Sequence, residues 1–181
     1  MIYLCSSSAT RALLLKKFDI EFKQKSVNFD EEQIQSSNPR EFVYLAAKGK
    51  MQESINTYGL DTPLLCADTV IASSDGEILR KPKDIDDAKR ILLKQSGSSI
   101  SIISSLHYQK KAYSFSNISA THYQFAKFDT KKLDEYLQSG LWEGKAGGCM
   151  VEGFCKEYIK SVDGFESTAM GLQVEVLKAW L

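Results

Sequence analysis

The stretch "PLLCADTVIAS", residues 63–73, limits the fold more than any other part of the sequence. It is almost wholly apolar, it includes β-branched residues, and it is far too short to span a bilayer. Pro63 precedes it, and "SSDGE" follows with an Asp75-Gly76 pair that favours a hairpin turn. These features predict a buried strand with one charge, Asp68, at its centre. A carboxylate in that position must be paired, or face a cleft, or end the strand and cap a turn. Thr69 and Val70 continue the strand pattern, which favours the functional reading over the terminating one.

The same kind of signal organises the rest of the chain. "MIYLCSSSATRALLLKKF" reads as a strand over Ile2–Cys5 followed by a helix with Ser8 or Ser7 as N-cap. "IEFKQKSVNF" reads as a strand ending in the acidic "FDEEQ". "SSNPREF" starts a helix, with Asn38 as N-cap and Pro39 at its first position, that runs to Tyr58 and stops at Gly59. "EILRKPKD" is short and extended, because Pro82 disfavours helix at Lys81. "IDDAKRILLKQSG" is a capped amphipathic helix. Two strands follow, "SISIISSLHY" and "AYSFSNISATHYQF", then the capped helix "DTKKLDEYLQSG". The glycine-rich "LWEGKAGGCMVEGF" reads as a loop with an open choice of strand at its end. "EYIKSV" reads as a strand and "GLQVEVLKAWL" as a closing helix. Hairpins mixed with helices predict a mixed α/β domain, a twisted sheet flanked by helices, and 181 residues suit a single domain, 1-181.

Charge and cysteine content narrow the function classes. Lys plus Arg equal Asp plus Glu at 23 each, so no broad basic surface for nucleic acid is expected. The serines after Cys5 interrupt any signal-peptide core, and no segment is long and apolar enough for a membrane span. The 4 cysteines form no CxxC pair and there are only 2 histidines, which argues against zinc. A reducing cytoplasm with no disulfides is the expectation, with Cys5 and Cys66 as buried thiols.

Several residues carry candidate chemistry. Ser6, Ser7, Ser8 and Arg11 at a helix start are either an ordinary cap or an anion site built from N–H groups, hydroxyls and a guanidinium. Asp30, Glu31 and Glu32 are either a solvated acidic loop or, if one faces Asp68, half of a divalent-cation site. Lys50 and Lys81 are candidate phosphate ligands, Lys81 stiffened by Pro82. "GKAGG" around Lys145 is not a phosphate loop of the Walker type, because the spacing is wrong and no Ser or Thr follows the lysine.

These pieces occur in the order found in one known family. "CSSSATRALLL", "FDEE", "FVYLAAKGK", "ADTVI", "ILRKPKDIDDAKRIL", "GKAGGCMVEG" and "MGLQ" resemble, in sequence, the motifs of the Maf family of nucleoside triphosphate pyrophosphatases, named first for septum formation. The resemblance spans almost the whole chain. It implies a Maf/ITPase-like elongated twisted mixed sheet with a cleft between two lobes. It implies Asp68 as general base, Glu31 as a second carboxylate near a Mg²⁺ or Mn²⁺ ion that both would bind, and Ser6, Ser8, Arg11, Lys50 and Lys81 as triphosphate ligands. Glu152 would stand near the base. The implied partner is a nucleoside triphosphate, with no nucleic acid and no membrane, and a homodimer is left open. The alternative function is a non-catalytic nucleotide-binding regulator of cell division acting through a protein partner.

The departures are specific. The family's proline and first arginine are Ala9 and Thr10, so Arg11 supplies the guanidinium alone. The glycine before Lys-Pro is Arg80, a usual histidine is Ile100, a usual glutamine is Glu152, and the proline after Gly-Leu is Gln173. Gln at the Glu152 position goes with thymidine and uridine triphosphate enzymes in the family, and Glu with a 7-methylguanosine triphosphate branch. "ADTV" resembles the pyrimidine branch, so a broadened base preference is expected.

Overall fold

The computed structural model describes residues 1–181. Six strands, β1 (Ile2–Cys5), β2 (Phe22–Lys25), β3 (Leu64–Ser73), β4 (Ser99–Gln109), β5 (Ser114–Phe125) and β6 (Ile159–Asp163), form one mixed sheet in the order β2-β1-β3-β4-β5-β6. β1 pairs in parallel with β2 and β3, while β5 and β6 are antiparallel. Six helices accompany them: α1 (Ala9–Lys17), α2 (Pro39–Tyr58), α3 (Ile85–Gln95), α4 (Thr130–Gln138), α5 (Glu166–Ala169) and α6 (Val174–Lys178). The chain divides into two compact units. The first comprises Met1–Thr69, Ile103–Ala120 and Phe165–Leu181, and the second comprises Val70–Ile102 and Thr121–Gly164.

Local chemistry accounts for the helix ends of the first unit. Ser8 Oγ accepts from Arg11 N at the start of α1, and Asn38 Oδ1 accepts from Arg40 N and Glu41 N at the start of α2. Gly59, at φ 65°, ends α2 where a side chain would be strained. Strand parity then builds two apolar layers. Leu4 of β1 with Leu65 and Ala67 of β3 packs against Leu14 and Leu15 of α1 and Leu177 of α6. Cys5 with Leu64 and Cys66 packs the other way, against Met51 and Ile55 of α2. A strand covered on both faces reads as a continuous apolar run, which is why "LLCA" does not alternate.

His107 of β4 lies in this unit with its ring 5.0 Å from that of Tyr44. Burial, then the nearby Lys48 charge, lowers its pKa from 6.5 to about 4. The folded protein therefore holds it neutral, while the unfolded chain takes up a proton below about pH 6.5. Stability is intact above that value and falls as pH drops toward 4, by roughly 3 kcal/mol at the limit. Urea unfolding at pH 7 and pH 4.5 checks this: His107→Gln should lose less stability on acidification than the native chain. Equal losses in both proteins would remove His107 from the acid response.

In the second unit Asp84 caps α3 and Asp129 caps α4. The glycine-rich segment is close-packed. Gly147 sits at φ +68°, where a Cβ would be 2.9 Å from Ile71 Cδ1, and its N–H donates to the carbonyls of Leu79 and Arg80 at 3.1 Å each. That approach fixes the extended "ILRKP" segment. The end of the glycine-rich stretch forms a 3₁₀ turn over Phe154–Tyr158 in place of a strand, and Phe154 stacks on Tyr136 at 4.5 Å. The closing helix is shorter than "GLQVEVLKAWL" suggested, five residues, and is preceded by the unexpected α5.

One expectation is overturned here. Cys149 and Cys155 are joined by a disulfide. A tight turn, closed by the Gly153 N–H to the Met150 carbonyl, reverses the chain between them. Their Cα atoms come to 6.6 Å, within disulfide range. Spacing arguments built on CxxC pairs miss a bridge made by such a turn. Cys5 and Cys66 remain free and buried.

Candidate active site

The first unit gathers Ser6, Ser8, Arg11, Glu31, Lys50 and Asp68, and strand parity explains how. Along β3, Asp68 shares a face with Leu64 and Cys66, which look toward α2. Lys50 of α2 meets it there. Its Nζ lies 2.5 Å from Asp68 Oδ1 and 2.5 Å from Glu31 Oε1, so one ammonium bridges both carboxylates. Thr69, one residue on, takes the opposite face with Leu65 and Ala67, toward α1, where it meets Arg11 at 3.1 Å.

Glu31 reaches Lys50 from a single 3₁₀ turn, Glu31–Gln33, which is capped by Asp30 Oδ1 accepting from Glu32 N. The segment is anchored just before Asp30, where the ring of Phe29 lies directly on Gly49 of α2. A Cβ at Gly49 would come within 2.2 Å of that ring. Gly49 lies beside Lys50, so a helix-interior glycine, otherwise worth about 1 kcal/mol less than alanine, leaves room for the anchor of the acidic turn. Sequence reasoning missed Phe29 and Gly49. The only signal was a glycine inside an otherwise strong helical pattern.

The electrostatics are those of a buried charge cluster. Burial pushes the Asp68 carboxyl above the usual aspartate range, and Glu31 pushes the same way, against the opposing pull of Lys50 and Arg11. Burial also lowers the Arg11 pKa, opposed by the charges of Asp68 and Glu31.

Next to this cluster lies a donor-rich corner. Ser6 Oγ accepts from Arg11 Nη1 at 3.0 Å and from Ser8 N at 3.2 Å, so its own proton stays available to an incoming acceptor. Gln24 Nε2 donates to the Ser6 carbonyl at 2.7 Å and holds that turn. The helix start that opens the chain is thus both a capped terminus and a place where hydroxyl, amide and guanidinium donors converge.

Lys81 and Glu152 belong to the second unit and are exposed. Lys81 lies within the segment held by Gly147, next to Arg80, whose carbonyl accepts from the Gly147 N–H. Glu152 lies in the loop closed by the Cys149–Cys155 bridge. No three His, Cys, Asp or Glu side chains cluster as a metal cage. Glu31 and Asp68 instead offer two carboxylates converging on one cation, the ammonium of Lys50. Hard oxygens in that number suit Mg²⁺, which takes one or two carboxylates and completes its shell with water and phosphate.

The protein is thus a mixed α/β sheet flanked by helices that carries a buried carboxylate–lysine–arginine cluster in its first unit. The chain belongs to the Maf-like protein family, whose model matches residues 1–181. It is 55% identical over 98% of its length to a "Nucleoside triphosphate pyrophosphatase" of a Nitratiruptor species, covering 96% of that protein. It is 37% identical over 97% of its length to one of the same name from Helicobacter pylori, covering 92% of it. Among solved structures it is similar to a "Nucleoside-triphosphatase / dITP/XTP pyrophosphatase" from Mycobacterium abscessus, with TM-score 0.50 and 13% identity over 99% of this chain and 91% of that one. That last likeness bears on the fold alone.

Proposed function

We propose that the protein hydrolyses nucleoside triphosphates between the α and β phosphates, giving the monophosphate and pyrophosphate. The observation that carries this reading is the pair of carboxylates, Glu31 and Asp68, drawn to one ammonium beside the Arg11–Ser6 donor corner. Binding alone needs cationic and hydroxyl donors. A desolvated carboxylate with a raised pKa is a base, and it suits the removal of a proton from an attacking water.

The roles follow from each group's chemistry. Asp68 accepts the proton of the water that attacks the α phosphate. Arg11 and Lys50 neutralise part of the roughly four negative charges of a triphosphate at neutral pH. The Ser6 hydroxyl donates to a phosphate oxygen, and Ser8 keeps the helix start in register. Glu31 holds Lys50 against Asp68 and, with Asp68, would hold a divalent cation such as Mg²⁺ or Mn²⁺. When bound, that ion supplies charge neutralisation at the phosphates. Lys81 is assigned by family resemblance as a further phosphate ligand, and Glu152 as the residue that reads the base.

The test is pyrophosphate release from a panel of nucleoside triphosphates, including modified bases, in the presence of Mg²⁺. Release from at least one of them is the expected result. Nucleotide binding without release would favour the regulator reading.

Glu152 makes the substrate reading quantitative. An ionised glutamate only accepts hydrogen bonds, which suits the paired N–H donors of a guanine edge, whereas a glutamine offers a donor and an acceptor. Glu152→Gln is therefore expected to shift relative kcat/KM toward dTTP and UTP by roughly ten-fold, about one charged hydrogen bond. An unchanged ratio of GTP to pyrimidine activity would show that Glu152 does not read the base.

A further inference from the structure

Arg11 is the only guanidinium at the donor corner where the family pattern has two, since Thr10 takes the other place. Its aim therefore matters more than usual, and the structure shows how it is aimed. Nε donates to the Gly171 carbonyl at 2.8 Å, Nη1 to Ser6 Oγ at 3.0 Å and Nη2 to Thr69 Oγ1 at 3.1 Å. Of the five N–H donors of a guanidinium, two are left for a ligand. Each nitrogen is held by a separate segment of the first unit: the α1 entry, β3, and the turn between α5 and α6.

The hydroxyl at Thr69 is itself held in one orientation. Ser104 Oγ donates its only proton to the Thr168 carbonyl at 2.8 Å. Thr69 Oγ1 and Ser104 Oγ lie 2.8 Å apart, so the proton between them must come from Thr69. The lone pairs of Thr69 are then left to receive Arg11 Nη2. The chain Arg11 to Thr69 to Ser104 to Thr168 has a single consistent direction. Ser104 is fully buried and is secured again through its own carbonyl, which accepts from Gln173 Nε2. Gln173 stands where the family pattern has proline, a residue with no such donor. Gly171 completes the clamp. It sits at φ +98°, and a Cβ there would lie 3.0 Å from Thr69 Oγ1 and 3.3 Å from Arg11 Nε.

We infer that Thr69 is a positioning residue for Arg11: through Ser104 it orients the guanidinium so that its two free N–H groups meet the triphosphate. Thr69 sits next to Asp68 in sequence but on the other face of β3, so it acts on phosphate binding and not on the base. This inference rests on the proposed role of Arg11 as a triphosphate ligand.

The experiment uses Thr69→Val, which keeps the shape and removes the hydroxyl, and Thr69→Ser, which restores it. KM and kcat are measured on the best substrate of the panel, together with the affinity for a non-hydrolysable α,β-imido analogue and the melting temperature. Thr69→Val is expected to raise KM and weaken analogue binding ten-fold or more, with kcat changed less than about three-fold. A lost hydrogen bond to a charged group has that size. Thr69→Ser should recover most of the affinity. Ser104→Ala, at the far link of the chain, should give a smaller KM increase and serves as the second variant if Thr69→Val does not fold. Arg11→Ala separates the two levels. If it raises KM and neither Thr69→Val nor Ser104→Ala does, the positioning role is overturned. If Arg11→Ala leaves KM unchanged, the phosphate role of Arg11 fails and the inference falls with it.

Discussion

Asp68→Asn is expected to keep the fold and most of the nucleotide affinity and to lower kcat at least about a hundred-fold, the lower end for a lost general base. Asparagine keeps the size of the side chain and an oxygen to accept from Lys50, whose Nζ sits 2.5 Å from Asp68 Oδ1. The substitution also removes a buried charge whose desolvation already raises its pKa, so the weakened ion pair with Lys50 is offset in part. Stability and turnover should therefore separate: a melting temperature close to that of the native chain, and a rate of pyrophosphate release that collapses. A kcat within a few-fold of the native value would take Asp68 out of the mechanism. A large drop in melting temperature would instead show that the Lys50–Asp68 pair holds the fold.

Removal of divalent metal is expected to have an effect at least as large. With Mg²⁺ and Mn²⁺ chelated, the rate should fall by about a hundred-fold or more and return on adding either ion, the several kcal/mol that charge stabilisation at a phosphoryl oxygen provides. The donor set motivates the choice of ions. Glu31 and Asp68 present carboxylate oxygens only. The four cysteines offer no soft site: two are buried free thiols and two are bonded to each other. Rescue by Mg²⁺ at millimolar concentration is therefore expected, whereas full activity in excess chelator would reject the metal requirement.

Much of the fold was legible because its elements are announced by local chemistry. Asn38-Pro39 and Gly59 bracket α2 at the residues observed, since a side-chain cap and a positive-φ stop act over a few bonds and need no tertiary partner. The apolar run over Leu64–Ser73 became the buried strand it resembled. Less was legible where a segment's conformation depends on what packs against it. The glycine-rich stretch has no periodicity, and its course is set by Ile71, Leu79 and Arg80, distant in sequence. The same holds for the Cys149–Cys155 bridge, which depends on a turn that no spacing rule describes.

The candidate site divides along the same line. The sequence alone determined which chemical groups are present: a lone acid in an apolar strand, hydroxyls and a guanidinium at a helix start, and acids after a strand. These follow from residue identity and from preferences of the local backbone. Only the tertiary structure decided which groups meet. Alternation along β3 sends Asp68 toward α2 and Lys50, and Thr69 toward α1 and Arg11. The 3₁₀ turn that follows Phe29, whose ring packs on Gly49, brings Glu31 to the ammonium. Contacts over 58 and 160 residues fix the guanidinium of Arg11. Such meetings are settled by packing between elements, and no local property of the sequence encodes the distance between two side chains so far apart along the chain.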